Sequence, residues 1–263
     1  MPVKTKLPAA PKAAKKLLPR MTLVETMSAL EKAGSAQTRK TYARHGAAEP
    51  MFGVSFATLK ALVKRIRVDH ELALALWDTG NFDARNLAVK VADPIRMSPA
   101  DLDRWAEAPT VRMCSSYVAH LAVESTHARA KADQWLSAPS DAQRCVAWGL
   151  VGAMAMLDEA TPDAWFAERL ADIEKTIHGT PNAQREAMNH AIIAIGCRNA
   201  FLRQKAIAAA KRIGKVEVDH GDTACKMPDA VQYIDKSWTH STSKGFASPA
   251  AHERTRESMR TRC

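Results

Sequence analysis

Apolar residues recur along most of this chain at the spacing of one helix face. After Ser55, a residue suited to capping a helix start, Leu59, Leu62, Val63 and Ile66 fall at i, i+3, i+4 and i+7. A second segment carries Leu72, Leu76 and Trp77 and ends near Gly80. Asn81 opens a third, with Leu87, Val89 and Val91 inside it, and Pro94 stops it. Ser98-Pro99 is a cap followed by a first-turn proline, and further starts are expected near Pro109, Ser140, Thr161-Pro162 and Pro181. No segment alternates apolar and polar with a period of two. The pattern predicts about a dozen helices joined by short loops, an all-α fold.

The helices fall into two kinds. Four open with a turn residue and an arginine: Asp83-Ala84-Arg85, Thr110-Val111-Arg112, Asp141-Ala142-Gln143-Arg144 and Asn182-Ala183-Gln184-Arg185. Between them lie helices around Trp77, Trp105, Trp135 and Trp165. The arginines are 27, 32 and 41 residues apart, near the repeat length of HEAT-type solenoids. The expected architecture is a curved solenoid of stacked antiparallel helix pairs, with one helix of each pair lining the concave face.

Composition supports close helix packing, since 46 % of residues are apolar, only 6 % are aromatic, and alanine outnumbers the β-branched types. The net charge of +10 sits mostly in the two ends. Residues 1–20 carry six cations and no acid, and residues 239–263 carry five cations and two acids, leaving +1 on residues 21–238. Residues 1–20 are expected to be a basic disordered tail, 21–238 the repeat domain, and 239–263 a second basic, flexible tail. Cys114, Cys145, Cys197, Cys225 and Cys263 form no C-x-x-C pair, so neither a disulfide framework nor a zinc ribbon is expected. No stretch is apolar enough to cross a membrane, and a cytoplasmic monomer without cofactor or metal is the expectation.

Two readings of the arginine ladder stand side by side. Arg85, Arg112, Arg144 and Arg185 pair with carboxylates of neighbouring repeats, for which Asp83 and Asp141 are available, or they bind something anionic. A cation in the first turn of a helix is disfavoured by about 0.3–1 kcal/mol. Four at equivalent positions favour an external anion, and a curved rail of guanidinium groups at helix N-termini suits a nucleic-acid backbone.

Several segments, in order, resemble the AlkD family of alkylpurine DNA glycosylases. They are Met51-Phe52-Gly53-Val54 with Leu59-Lys60-Ala61-Leu62, Leu76-Trp77-Asp78 with Asp83-Ala84-Arg85, Gln143-Arg144, and Ala191 to Asn199. The resemblance covers residues from about 40 to 212. It implies a C-shaped helical stack that grips double-stranded DNA and hydrolyses the N-glycosidic bond of cationic alkylated purines. In that family two tryptophans cradle the sugar while an aspartate stabilises the oxocarbenium ion. By the resemblance those positions fall on Val111, Ser115 and His190, so only Arg144, matching a DNA-binding arginine, is kept.

A polar segment after the last repeat helix, Val216 to Lys226, holds Asp219, His220 and Asp222 around Gly221. These are candidates to position water or stabilise a cation, against the alternative of an Asp/Gly turn. With Cys225 they are metal-ligand types, but not in a standard zinc spacing. Three functions follow: a DNA alkylation repair protein with an altered site, a non-catalytic HEAT-repeat DNA-binding protein, and a protein–protein scaffold.

Overall fold

The computed structural model describes residues 19–108 and 112–262, with residues 112–115 described through the backbone alone. Residues 1–18 of the expected disordered tract 1–20, the helix start at Pro109, and Val111 lie outside the described residues. The described elements are α1 (Leu23–Ala33), α2 (Ala36–Arg44), α3 (Phe56–Ile66), α4 (His70–Asp78), α5 (Phe82–Val91), α6 (Pro99–Glu107) and α7 (Arg112–Val123). They continue as α8 (Ala128–Leu136), α9 (Asp141–Leu157), α10 (Asp163–Thr176), α11 (Asn182–Gly196), α12 (Ala200–Ile213), α13 (Ala230–Thr242) and α14 (Pro249–Glu253). No β-strand is present among the described residues, only one isolated bridge between Gly34 and Val54.

The expected caps form. Ser55 accepts from Thr58 N–H, Asn81 from Asp83 and Ala84 N–H, and Ser140 from Gln143 N–H; Ser98 caps α6 with Pro99 in its first turn. Each cap satisfies backbone donors that a helix start leaves without an internal partner.

From α4 onward the helices pair as α4/α5, α6/α7, α8/α9, α10/α11 and α12/α13. The first members form an outer layer and the second an inner one. Unequal spacing of the two layers explains the bend. Between inner helices the contacts are small: a Cβ on Gly149 of α9 would meet Ala119 of α7 at 3.2 Å, and one on Gly152 would meet Ala194 of α11 at 3.5 Å. Between outer helices stand tryptophans. Trp77 and Trp105 stack at 4.2 Å, Trp135 donates its indole N–H to Asp103 at 2.7 Å, and Trp165 donates to Asp133 at 2.9 Å. Wide spacers outside and glycine–alanine contacts inside curve the stack towards the α5–α7–α9–α11 side.

The loop before α3 is held by the first turn of α5. Buried Asp83 accepts from the N–H groups of Phe52, Gly53 and Val54 at 2.7, 2.9 and 2.8 Å. Gly53 has φ +78°, and a Cβ there would lie 2.6 Å from Ser35 O, so this turn requires glycine.

The C-terminal segment corrects the sequence expectation of a flexible tail from residue 239. Helix α13 runs to Thr242, α14 follows, and residues 254–262 lie across the ends of the inner helices. Ala250 N–H donates to Cys197 O at 3.1 Å, and the Arg260 side chain is only 5 % exposed. Apolar periodicity does not signal this segment because polar contacts to distant carbonyls fasten it.

Candidate nucleic-acid interface

Each ladder arginine with a described side chain turns back on the link between its inner helix and the preceding outer one. Arg85 donates Nε to Trp77 O at 3.4 Å and lies 5.1 Å over the Trp77 ring. Arg144 donates to Ala138 O at 2.5 Å and Pro139 O at 2.9 Å, and to Asp141. Arg185 donates to Thr180 O at 3.0 Å and, through its other terminal nitrogen, to Glu217 O at 2.8 Å. Arg112 opens α7, and its side chain lies outside the described residues.

This shared geometry answers the dipole objection. The link lies just past the negative end of an outer helix, where a cation is favoured, and its carbonyls at Ala138, Pro139 and Thr180 engage the guanidinium groups of Arg144 and Arg185. Among the described side chains no ladder arginine pairs with Asp83 or Asp141 of a neighbouring repeat: Asp83 serves backbone N–H groups, and Asp141 accepts from Arg144 of its own helix and from Gln184 at 2.9 Å. A guanidinium carries five donors, and the Arg144 side chain stays 30 % exposed, so carbonyl bonds do not exhaust it.

A groove of about 380 Å³ runs along the inner layer. Helix α7 gives it Ser116 and His120, α9 gives Cys145, Trp148, Gly149 and Met156, α11 gives Glu186 and His190, and the C-terminal segment adds Met259. His190 is thus one of the residues that line this groove. The Ser115 side chain lies outside the described residues.

Glu186 is a groove carboxylate that the sequence reading missed. It stands one turn before His190 on a face otherwise made of Ala183, Ala187 and Ala194, and that isolated charge was its one signal. Its negative charge, after burial, helps push the Cys145 thiol up to about 11, which leaves Cys145 protonated and poorly nucleophilic. Burial holds the pKa of His120 below its usual value, partly opposed by the bond from Nδ1 to Ser116 O at 2.8 Å. A carbonyl only accepts, so that nitrogen carries the hydrogen.

The Asp219–Asp222 segment follows α12. It borders a larger hollow of about 1050 Å³ beside α11 and the end of α12. Asn182 and the backbone of Asp219 exchange two hydrogen bonds at 2.6 and 2.9 Å, while the Asp219 carboxylate accepts from Gly221 N–H at 2.8 Å. That is the Asp/Gly turn reading. Asp222 is exposed and lines neither cavity. Only His220 approaches the groove residues, with Nδ1 4.0 Å from Glu186 Oε1. Among the described residues no group of three His, Cys, Asp or Glu is placed to hold a metal ion, and no helix is long and apolar enough to cross a membrane.

A curved stack of helix pairs, with an arginine in the first turn of each inner helix from α5 to α11, defines a HEAT-like repeat protein. The chain belongs to the DNA alkylation repair enzyme family, whose model matches residues 26–234. It is similar to a solved structure described as a new family of proteins related to the HEAT-like repeat DNA glycosylases with affinity for branched DNA structures. The identity is 31 % and the TM-score 0.76, over 86 % of this chain and 96 % of that one. Uncharacterised proteins Lin0241 of Listeria innocua and Lmo0209 of Listeria monocytogenes are each 29 % identical over 207 residues, covering 76 % of this chain and 90 % of theirs.

Proposed function

We propose that this chain binds DNA across its inner face, favouring branched over continuous duplex, with Arg85, Arg112, Arg144 and Arg185 contacting backbone phosphates. The observation that carries the reading is the equivalent placement of Arg144 and Arg185 in the first turns of adjacent inner helices, α9 and α11. Helix N-termini and guanidinium groups together suit phosphate oxygens. The affinity of the 31 %-identical relative for branched DNA supports the choice of substrate. The test is anisotropy binding to matched linear and three-way-junction DNA across a salt series. Tighter junction binding and a steep salt slope support the reading, and binding indifferent to salt overturns it.

A second reading, excision of cationic alkylated purines with an altered site, is favoured by one feature. The family resemblance offers serine in place of the carboxylate at position 115, but Glu186 stands on the groove wall. A fixed anion beside the sugar stabilises positive charge that develops as the glycosidic bond breaks, and a cationic base leaves without needing a general acid. Base release from 7-methylguanine- and 3-methyladenine-containing duplex decides between binding alone and binding with excision.

A further inference from the structure

Residues 254–262 cross the C-terminal ends of the inner helices and lie beyond residue 234, where the family match stops. Arg254 donates to Met156 O at 3.3 Å at the end of α9. Arg260 donates to Val89 O and Lys90 O at 3.1 and 2.9 Å at the end of α5, and its Nε to Glu124 at 2.7 Å just past α7. In return, buried Lys90 donates Nζ to Arg260 O at 2.7 Å. Ser258 also bonds Glu124. Cations at helix C-termini are electrostatically well placed, so this fastening is firm.

Residues 258 and 260 are therefore both pinned, and Met259 stands between them. It is 40 % exposed, and its side chain lines the groove that holds Trp148 and His190. Burial is the usual fate of a methionine. Here the backbone on either side is spent on anchoring, and the side chain is presented outward at a fixed place. Cations flank it: the Arg256 side chain is 53 % exposed, and Arg262 donates to the Met259 sulfur at 3.6 Å. The carboxylates nearby are Glu253, paired with Arg256 and Arg262, and exposed Glu257.

We infer that Met259 is a preorganised apolar wedge that enters an interrupted base stack at a DNA branch point. The inference rests on the DNA-binding reading above. Apolar side chains flanked by cations are suited to sliding between base steps, and they must unstack the bases to do so. In continuous duplex that cost opposes entry. At a branch the stack is already broken, and a side chain held in place loses little freedom on binding. The wedge therefore discriminates branch from duplex, while the arginines hold either.

The test uses the full chain with Met259→Ala and Met259→Gln, both at an exposed position. Binding is measured to linear duplex and to a three-way junction carrying 2-aminopurine at the branch. Met259→Ala should weaken junction binding about tenfold and duplex binding less than about twofold. Wild type should change the 2-aminopurine fluorescence, and neither variant should. Unchanged junction affinity and fluorescence in both variants, with wild type binding DNA, overturns the wedge alone. If wild type binds neither DNA, the DNA-binding reading falls with it.

Discussion

The carboxylate of Asp83 and the backbone of Gly53 meet at 2.9 Å across thirty residues of sequence, and Phe52 and Val54 donate to the same carboxylate at 2.7 and 2.8 Å. One buried side chain thus locks the turn before α3 onto the start of the first inner helix. Asp83→Asn puts an amide N–H₂ against backbone N–H groups and leaves at least one without an acceptor. The expected loss is about 2–4 kcal/mol of stability, read by urea denaturation. A loss under about 0.5 kcal/mol would show that water takes over these bonds.

The outer layer carries a ladder in which Trp135 and Trp165 each reach an aspartate of the preceding outer helix. Asp103 accepts from Trp135 and from Lys131, whose side chain is only 6 % exposed. Burial works to raise the Asp103 carboxyl, but the bonds from Lys131 and Trp135 outweigh it and hold it below its ordinary value. Asp103→Ala strands a buried ammonium and an indole N–H, with an expected cost of about 2–3 kcal/mol in a denaturant midpoint. Because the folded carboxyl is the stronger acid, its contribution is present above the unfolded pKa and fades as pH falls through the lowered folded value. The variant should therefore lose the corresponding part of the acid-side decline.

His120 shifts in the same direction for a different reason, and in a higher pH range. Burial lowers its pKa, so the folded state holds fewer protons than the unfolded state just below the usual histidine value. Stability should fall as pH drops from about 7 to about 5, and His120→Gln should flatten that part of a melting-temperature profile. An unaltered slope would assign the decline to other groups.

These relationships divide by what a sequence displays. The helices were legible because Leu59, Leu62, Val63 and Ile66 repeat at helical spacing, and Ser55, Asn81, Ser98 and Ser140 sit where caps belong. The alternation of tryptophan and arginine helices gave the solenoid. The partners of those arginines were not legible: Ala138 O and Thr180 O are backbone atoms, which every residue offers equally. The anchoring of residues 254–262 was hidden for the same reason, since Arg260 meets Val89 O and Lys90 O about 170 residues away. Glu186 was visible only as one charge on an alanine face, a signal weaker than the aspartate-rich turn at Asp219.

Arg144 has two tasks, and they separate by measurement. Arg144→Ala removes the bonds to Ala138 O and Pro139 O, with an expected cost of about 1 kcal/mol of stability. If the same guanidinium also contacts a phosphate, DNA affinity falls by about 1–3 kcal/mol and the salt slope by about 1. A stability change without a change of slope would confine Arg144 to fastening the link between α8 and α9.

The last prediction separates the two carboxylate candidates for excision. Asp219 spends its carboxylate on Gly221 N–H, and Asp222 is exposed away from the groove, whereas Glu186 lines the same groove as His190. Only an anion within a few ångströms of the sugar lowers the barrier to glycosidic cleavage, because field strength falls with distance and solvent screens exposed charges. Glu186→Gln keeps shape and removes charge, so it should cut base release from 7-methylguanine duplex by roughly a hundredfold while leaving duplex affinity nearly unchanged. Asp222→Asn should leave both untouched. Loss of release with Asp222→Asn instead would return the chemistry to the loop. A wild type that binds junction DNA yet releases no base would remove excision and leave the binding function standing alone.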